Sequence, residues 1–242
     1  MIGRLKSLIM LVVLIGAGYL IFQNVPQVQS TVSKYVSGVK ETLSLNSSET
    51  STGTLDTSGA LATLNTIPVK GRAPATGYSR TQFGDAWTDN NDVSLGRNGC
   101  RTREDILARD MTQVYHDGCK VTGGVINDPY TGKTITFTRG AETSSAVQID
   151  HVVALKNAWV TGAQQLTPRQ RVNLANDPLN LLAVDGITNQ AKGDGDAATW
   201  LPPNKSFRCA YVSRQISVKA KYRLWVTAPE KSAMTRILNA CS

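Results

Sequence analysis

The pattern of apolar and polar positions divides the chain into three unequal parts. Leu8 to Phe22 is an uncharged apolar stretch with Arg4 and Lys6 ahead of it. At 15 residues it is long for a signal-peptide core and short for a membrane span of about 20. The positive charges before it favour retention of that end in the cytoplasm and export of the rest of the chain. No small-x-small cleavage site lies beyond Phe22, so residues 1–25 read as a signal peptide or an uncleaved membrane anchor. The next part, 26–66, offers only one weak amphipathic turn, at Val32, Tyr35, Val36 and Val39, and positions 30–66 carry 16 Ser or Thr with no Cys or Trp. Such a stretch buries too little surface to offset the entropy of ordering, so it reads as a flexible linker. The compact domain is expected over 67–242.

Inside that domain the element types alternate. Thr102 with Asp105 resembles a capping box that opens a short helix, TREDILARDM. KVTGGVI and KTITFTR are rich in β-branched residues and joined by NDPYTG, which predicts a hairpin. VQIDHVVAL is strand-like and passes into a helical stretch around Lys156 to Val160. Pro168 opens a polar helix, PRQRVNLAND, succeeded by the short apolar segment LNLLAV and the Gly-bounded GITNQAKGDG. From about Cys209 two helical patterns flank Pro229. The predicted class is α+β, mostly helical with a β-hairpin.

Cysteine usage adds staples. Cys100, Cys119, Cys209 and Cys241 show no two-residue spacing, which argues against a Cys-based metal site. An even number on an exported chain implies disulfides. Of the three formal pairings, Cys100–Cys119 and Cys209–Cys241 are expected, because each ties together a local unit.

The candidate chemistry is central. Asp150 and His151 adjoin at the end of an apolar strand, where neighbouring side chains point to opposite faces. Alone, such a pair is as often a structural histidine or a solvated turn. The continuation changes this, with Asn180 in LNLLAV and then Asn189 and Lys192 in NQAKGD. Together these residues resemble the HNH nucleases of the ββα-metal superfamily. The similarity is greatest to the exported branch related to the C-terminal nuclease domain of GmrSD-type restriction enzymes, and DAATWLPPN fits that branch as well. The likeness is strongest over Gln148 to Asn204.

The resemblance implies a ββα-metal core embedded in the helical domain and a role for each matched residue. His151 is implied as general base and Asp150 as ligand of one divalent cation. Asn189 is implied as a second ligand, Asn180 as the brace that orients the base, and Lys192 as a contact to phosphate, although a solvated lysine explains it equally well. Asn189 stands where the family's final position is often His, and this oxygen-rich pair suits Mg²⁺ or Mn²⁺ better than Zn²⁺. Ala154 replaces the usual Pro after the DHV segment.

Competing chemistries lack their residues. Two histidines exclude a three-histidine zinc site, and His116 reads as structural or exposed. No G-x-S-x-G elbow or phosphate-loop motif occurs. Asp194 and Asp196 read as a polar loop, and Arg101, Arg103 and Arg109 as helix-surface arginines.

Charge then suggests a grip. The net charge is +8, yet positions 67–204 carry 14 basic and 14 acidic residues. From Lys205 onward there are eight basic residues against Glu230 alone. Lys205, Arg208, Arg214, Lys219, Lys221 and Arg223, interleaved with Phe207, Tyr211, Tyr222 and Trp225, are the expected contacts to a nucleic-acid backbone. The sequence-level expectation is an extracytoplasmic, monomeric, metal-dependent endonuclease acting on DNA or possibly RNA with little sequence specificity. Contact with a membrane is expected only through the N-terminal segment. The alternative is a non-catalytic exported protein that binds extracellular DNA or acidic cell-wall polymer.

Overall fold

The computed structural model describes residues 56–241. The proposed signal or anchor segment and most of the proposed linker lie outside the described residues. Among the described residues no helix is long and apolar enough to cross a membrane.

Ordered structure begins within the stretch read as linker. Asp56 caps helix α1, Thr57–Thr66, by accepting the Gly59 N–H at 2.8 Å. Leu64 and Ile67 insert into a core built largely from the C-terminal helices. The domain therefore starts about one helix earlier than the Ser/Thr content implied. A few apolar side chains with a ready groove suffice to order a short polar helix.

Helix α2, Thr102–Asp110, forms as expected but without its capping box. The Thr102 hydroxyl donates instead to the Thr88 carbonyl at 3.1 Å, and Asn98 donates to Asp105. Strands β1 (Thr112–Asp117), β2 (Lys120–Asn127) and β3 (Thr134–Thr138) make an antiparallel sheet in that order. The β2–β3 pair is the anticipated hairpin, in register from Asn127↔Thr134 to Gly123↔Thr138.

A second, two-stranded antiparallel sheet pairs β4, Val147–His151, with β5, Leu181–Asp185. Between them in sequence lie α3, Leu155–Val160, and α4, Pro168–Asn176, the latter opened by a capping box of Thr167 with Gln170. Helix α5, Gly186–Lys192, comes directly after β5, and the Asp185 carboxylate accepts the Thr188 N–H at 2.7 Å. A β-carbon on Gly186 would meet the Ser145 carbonyl at 2.0 Å, so only glycine allows α5 to approach the β4 side this closely.

Helices α6, Arg208–Lys221, and α7, Ala228–Asn239, complete the unit. Tyr211, Val212 and Ile216 of α6 are fully buried with Leu64, Tyr130 and Met234. Both expected disulfides are present, Cys100–Cys119 and Cys209–Cys241, with Cα separations of 5.5 and 6.0 Å. They close loops of 19 and 32 residues, each contributing about 3–4 kcal/mol in the chain-entropy model.

Candidate active site

Strand β4 ends at the centre of the molecule, and its last two residues are both buried. Asp150 pairs across the sheet with Leu182, and His151 with Leu181. Their side chains take different surroundings, as alternation requires.

The Asp150 carboxylate is held by two donors. Lys192 Nζ donates to Oδ1 at 2.9 Å and the Tyr130 hydroxyl donates to Oδ2 at 2.5 Å. Tyr130 arrives from the β2–β3 turn. That turn is anchored by Asp128, whose Oδ1 accepts the Asp185 N–H at 3.0 Å and whose Oδ2 accepts the Thr131 N–H at 2.8 Å. Burial and the adjacent Asp150 charge hold the Tyr130 phenol well above its ordinary pKa, so it remains a donor.

The His151 ring is fixed on two sides. Its Nε2 lies 2.9 Å from the Ala175 carbonyl at the end of α4. A carbonyl only accepts, so Nε2 carries the proton and Nδ1 keeps its lone pair. Trp87 stacks on the ring, with centroids 5.3 Å apart and planes 9° from parallel. Burial pushes the imidazole down to about 4, against the opposing pull of the Ala175 carbonyl and Asp150. The ring is therefore neutral at physiological pH and able to accept a proton.

Asn180 is fully buried and braces the segment after His151. Its Oδ1 accepts the Val153 N–H at 2.8 Å, its Nδ2 donates to the Val153 and Leu174 carbonyls at 3.3 Å, and its own carbonyl accepts the Val152 N–H. Two arginines hold the turn that carries it. Arg109 donates to the Pro178 and Leu181 carbonyls, and Arg214 to those of Pro178 and Leu179.

Asp150, His151 and Asn189 line one cavity of about 380 Å³, with Arg80, Lys156 and Gln148. Gln148 Oε1 accepts the Asn189 Nδ2 at 3.0 Å, which leaves the Asn189 amide oxygen as its potential ligand atom. Among the described residues no three His, Cys, Asp or Glu groups gather into a metal cage. The carboxylate of Asp150 has about four lone-pair positions, more than its two donors engage. With the Asn189 oxygen it offers a hard two-oxygen donor set, which fits Mg²⁺ or Mn²⁺ that retain several waters.

Other positions differ from expectation. Lys192 is only 3% exposed and donates a second bond to the His151 carbonyl at 2.8 Å, so it is neither solvated nor turned toward a substrate phosphate. Lys219, expected on a nucleic-acid surface, is completely buried and pairs with Glu230 at 2.9 Å. It occupies the inner face of α6, four residues after Gln215 and eight after Tyr211. Arg214 and Arg208 donate to backbone carbonyls, and Lys221 pairs with Asp177 at 2.6 Å. Lys205 and Arg223 remain exposed, without ion pairs among the described residues. Four of the six expected contacts, Arg208, Arg214, Lys219 and Lys221, thus bond within the fold, and Tyr211, Tyr222 and Trp225 are buried. Arg109 is exposed on α2, as expected, while its guanidinium also donates to the carbonyls of Pro178 and Leu181, and His116 is exposed on β1.

Tyr130, Trp87, Arg80 and Asp177 carry no motif that points to the site. Only the turn signal around Tyr130 hints that this residue is presented at a fixed place.

Comparison with known proteins places these elements in a family. Residues 102–237 match the family described as GmrSD restriction endonucleases, C-terminal domain. The chain is 43% identical over 187 residues to a protein of Arthroderma benhamiae described as an uncharacterized secreted protein, covering 76% of this chain and 85% of that one. No solved structure matches. The match runs from α2 into α7 and includes the strand, turn and helix that carry Asp150, His151, Asn180 and Asn189, and on this ground the chain belongs to the family of GmrSD restriction endonuclease C-terminal domains.

Proposed function

We propose that the protein is an extracytoplasmic, metal-dependent endonuclease that hydrolyses phosphodiester bonds of DNA with little sequence specificity. The observation that carries this reading is the placement of His151: its ring is held through Nε2 by the Ala175 carbonyl, and it lines one cavity with Asp150 and Asn189. The β4–β5–α5 arrangement supports a ββα-metal core, and the secreted fungal relative supports export.

In this reading Asp150 and Asn189 would hold the divalent cation. When bound, the ion supplies Lewis-acid stabilisation of charge on the phosphate and the leaving oxygen. His151 Nδ1 takes the proton of the attacking water as the new P–O bond forms. Asn180 keeps the backbone after His151 in place, so the ring cannot rotate out of line. Lys192 and Tyr130 orient the Asp150 carboxylate and compensate part of its buried charge. Lys205, Arg223 and Arg236 are exposed cations of the C-terminal part available for the backbone of a bound strand.

The deciding experiment incubates the full chain with plasmid and Mg²⁺ or Mn²⁺, with and without chelator. Nicking that chelator abolishes and that His151→Ala reduces by about 10²–10⁴-fold, the usual contribution of a general base, is expected. Binding of DNA without cleavage would instead support the non-catalytic alternative.

A further inference from the structure

Arg80 stands on the turn Arg80–Phe83, ahead of the family-matched residues 102–237. It borders two cavities, and His151 and Leu155 border both as well. The first is the polar cavity with Asp150 and Asn189. The second, about 440 Å³, is walled by apolar groups of Phe83, Trp87, Leu155 and Ala175. His151 thus has a polar chamber on one side and an apolar one on the other.

The second chamber is shaped against local preference. Trp87 adopts a φ of +58°, a left-handed conformation uncommon for a bulky residue, and this places its indole flat against the His151 ring. The polar groups on the chamber wall, apart from Arg80, are mostly acceptors. Asp85 lines it, and so does Asn176, whose Nδ2 donates to the Val172 carbonyl at 2.9 Å. That bond fixes the amide orientation, and the buried Asn176 Oδ1 receives no hydrogen bond among the described residues. Arg80 is exposed and makes no ion pair among the described residues.

We propose that the apolar chamber is a nucleoside subsite, which seats the base beside the scissile phosphate while Arg80 holds that phosphate at the shared rim facing His151. The proposal rests on the nuclease reading and specifies its substrate. Aromatic and apolar walls stabilise a base by stacking, and a guanidinium at the rim binds phosphate oxygens through paired N–H donors. Bases within a duplex are stacked on their neighbours and enter such a chamber only when extruded, so single-stranded nucleic acid is the preferred substrate and a supercoiled plasmid is nicked where its strands open.

The test compares two single-stranded chains of equal length, oligodeoxycytidylate and the same sugar–phosphate chain with abasic residues, using the full-length protein with Mg²⁺ or Mn²⁺. The expected kcat/KM is at least about fivefold higher for the base-bearing chain, the lower end of the contribution of one stacked base. Equal cleavage of both chains would overturn the subsite while leaving the nuclease assignment intact; cleavage of neither would overturn the subsite where plasmid is still nicked, and would remove the nuclease assignment itself where plasmid is also left intact. Ala86→Trp, at an exposed position on the chamber rim, is expected to bring the ratio close to one. Arg80→Ala is expected to raise KM on both chains by about tenfold, as loss of one charge-assisted contact predicts. An unchanged ratio in a folded Ala86→Trp protein, or an unchanged KM in Arg80→Ala, would place the base elsewhere. The wild-type ratio decides the matter even where a variant does not fold.

Discussion

Replacing Lys219 with alanine separates the structural role of the C-terminal arm from a nucleic-acid role. Both Lys219 and Glu230 are completely buried, and Lys219 Nζ lies 2.9 Å from Oε1 and 3.0 Å from Oε2 of Glu230. Nζ also donates to the Trp225 carbonyl at 3.0 Å. Removing the lysine leaves a carboxylate without its counter-charge in a dry interior, which costs about 3–5 kcal/mol. For a domain of this size, that corresponds to a fall in Tm of roughly 6–20 °C. The deficit depends on pH in a defined direction. Burial raises the Glu230 pKa above its ordinary 4.5 even with Lys219 present, so the folded state favours the neutral acid. Without the lysine this preference strengthens, and protonation relieves the unpaired charge. The Tm gap between wild type and Lys219→Ala should therefore narrow as pH falls from about 7.5 toward about 5, approaching the unfolded-state range of a glutamate, as read by calorimetry or far-ultraviolet circular dichroism. A variant that unfolds within about 0.5 kcal/mol of wild type, the range of ordinary surface substitutions, would refute the buried-pair argument, especially if it bound DNA more weakly.

Three further outcomes are expected from the same geometry. Asn180→Ala removes three hydrogen bonds in the interior and should destabilise the domain by about 2–4 kcal/mol, at a net value of roughly 0.5–1.5 kcal/mol per bond; denaturant unfolding measures it, and a loss below about 0.5 kcal/mol would show that the brace is dispensable. Reduction of both disulfides should lower the unfolding free energy by several kcal/mol, about 3–4 per bridge, visible as a lower urea midpoint with dithiothreitol present. Lys205→Gln with Arg223→Gln should weaken DNA binding uniformly across sequences and reduce the magnitude of the salt slope by about two if both touch phosphates; an unchanged slope would move the backbone contact to another face.

The strongly patterned parts of this fold are legible in the sequence. β-Branched runs around NDPYTG mark the β2–β3 hairpin, and Thr167, Pro168 and Gln170 lie where α4 begins. The disulfide pairing is readable because each bridge closes a local unit. Asp150, His151 and Asn189 are legible through motif spacing, and they do line one cavity. Residues that act through tertiary approach leave no such signal. Tyr130 and Trp87 reach Asp150 and His151 across 20 and 64 positions of sequence, and nothing local distinguishes them from ordinary core aromatics. Lys219 departs from its expected surface place for a different reason. Its four-residue spacing from Gln215 and its eight-residue spacing from Tyr211 put it on the inner face of α6, but a count of positive charges ignores helical phase. The start of α1 is hidden because composition reports an average, whereas Leu64 alone fills a core position.

The turn carrying Asn180 has consequences for when the centre can exist. Arg109 grips it from earlier in the chain, and Arg214 grips it from later. A nascent polypeptide that has not yet released α6 therefore lacks one of the two clamps beside His151. The lock on α6 and α7, Cys209–Cys241, closes only under oxidising conditions. Two contributions to this part of the fold thus arrive in succession: the Arg214 clamp waits for α6 to be synthesised, and the Cys209–Cys241 lock waits for an oxidising compartment.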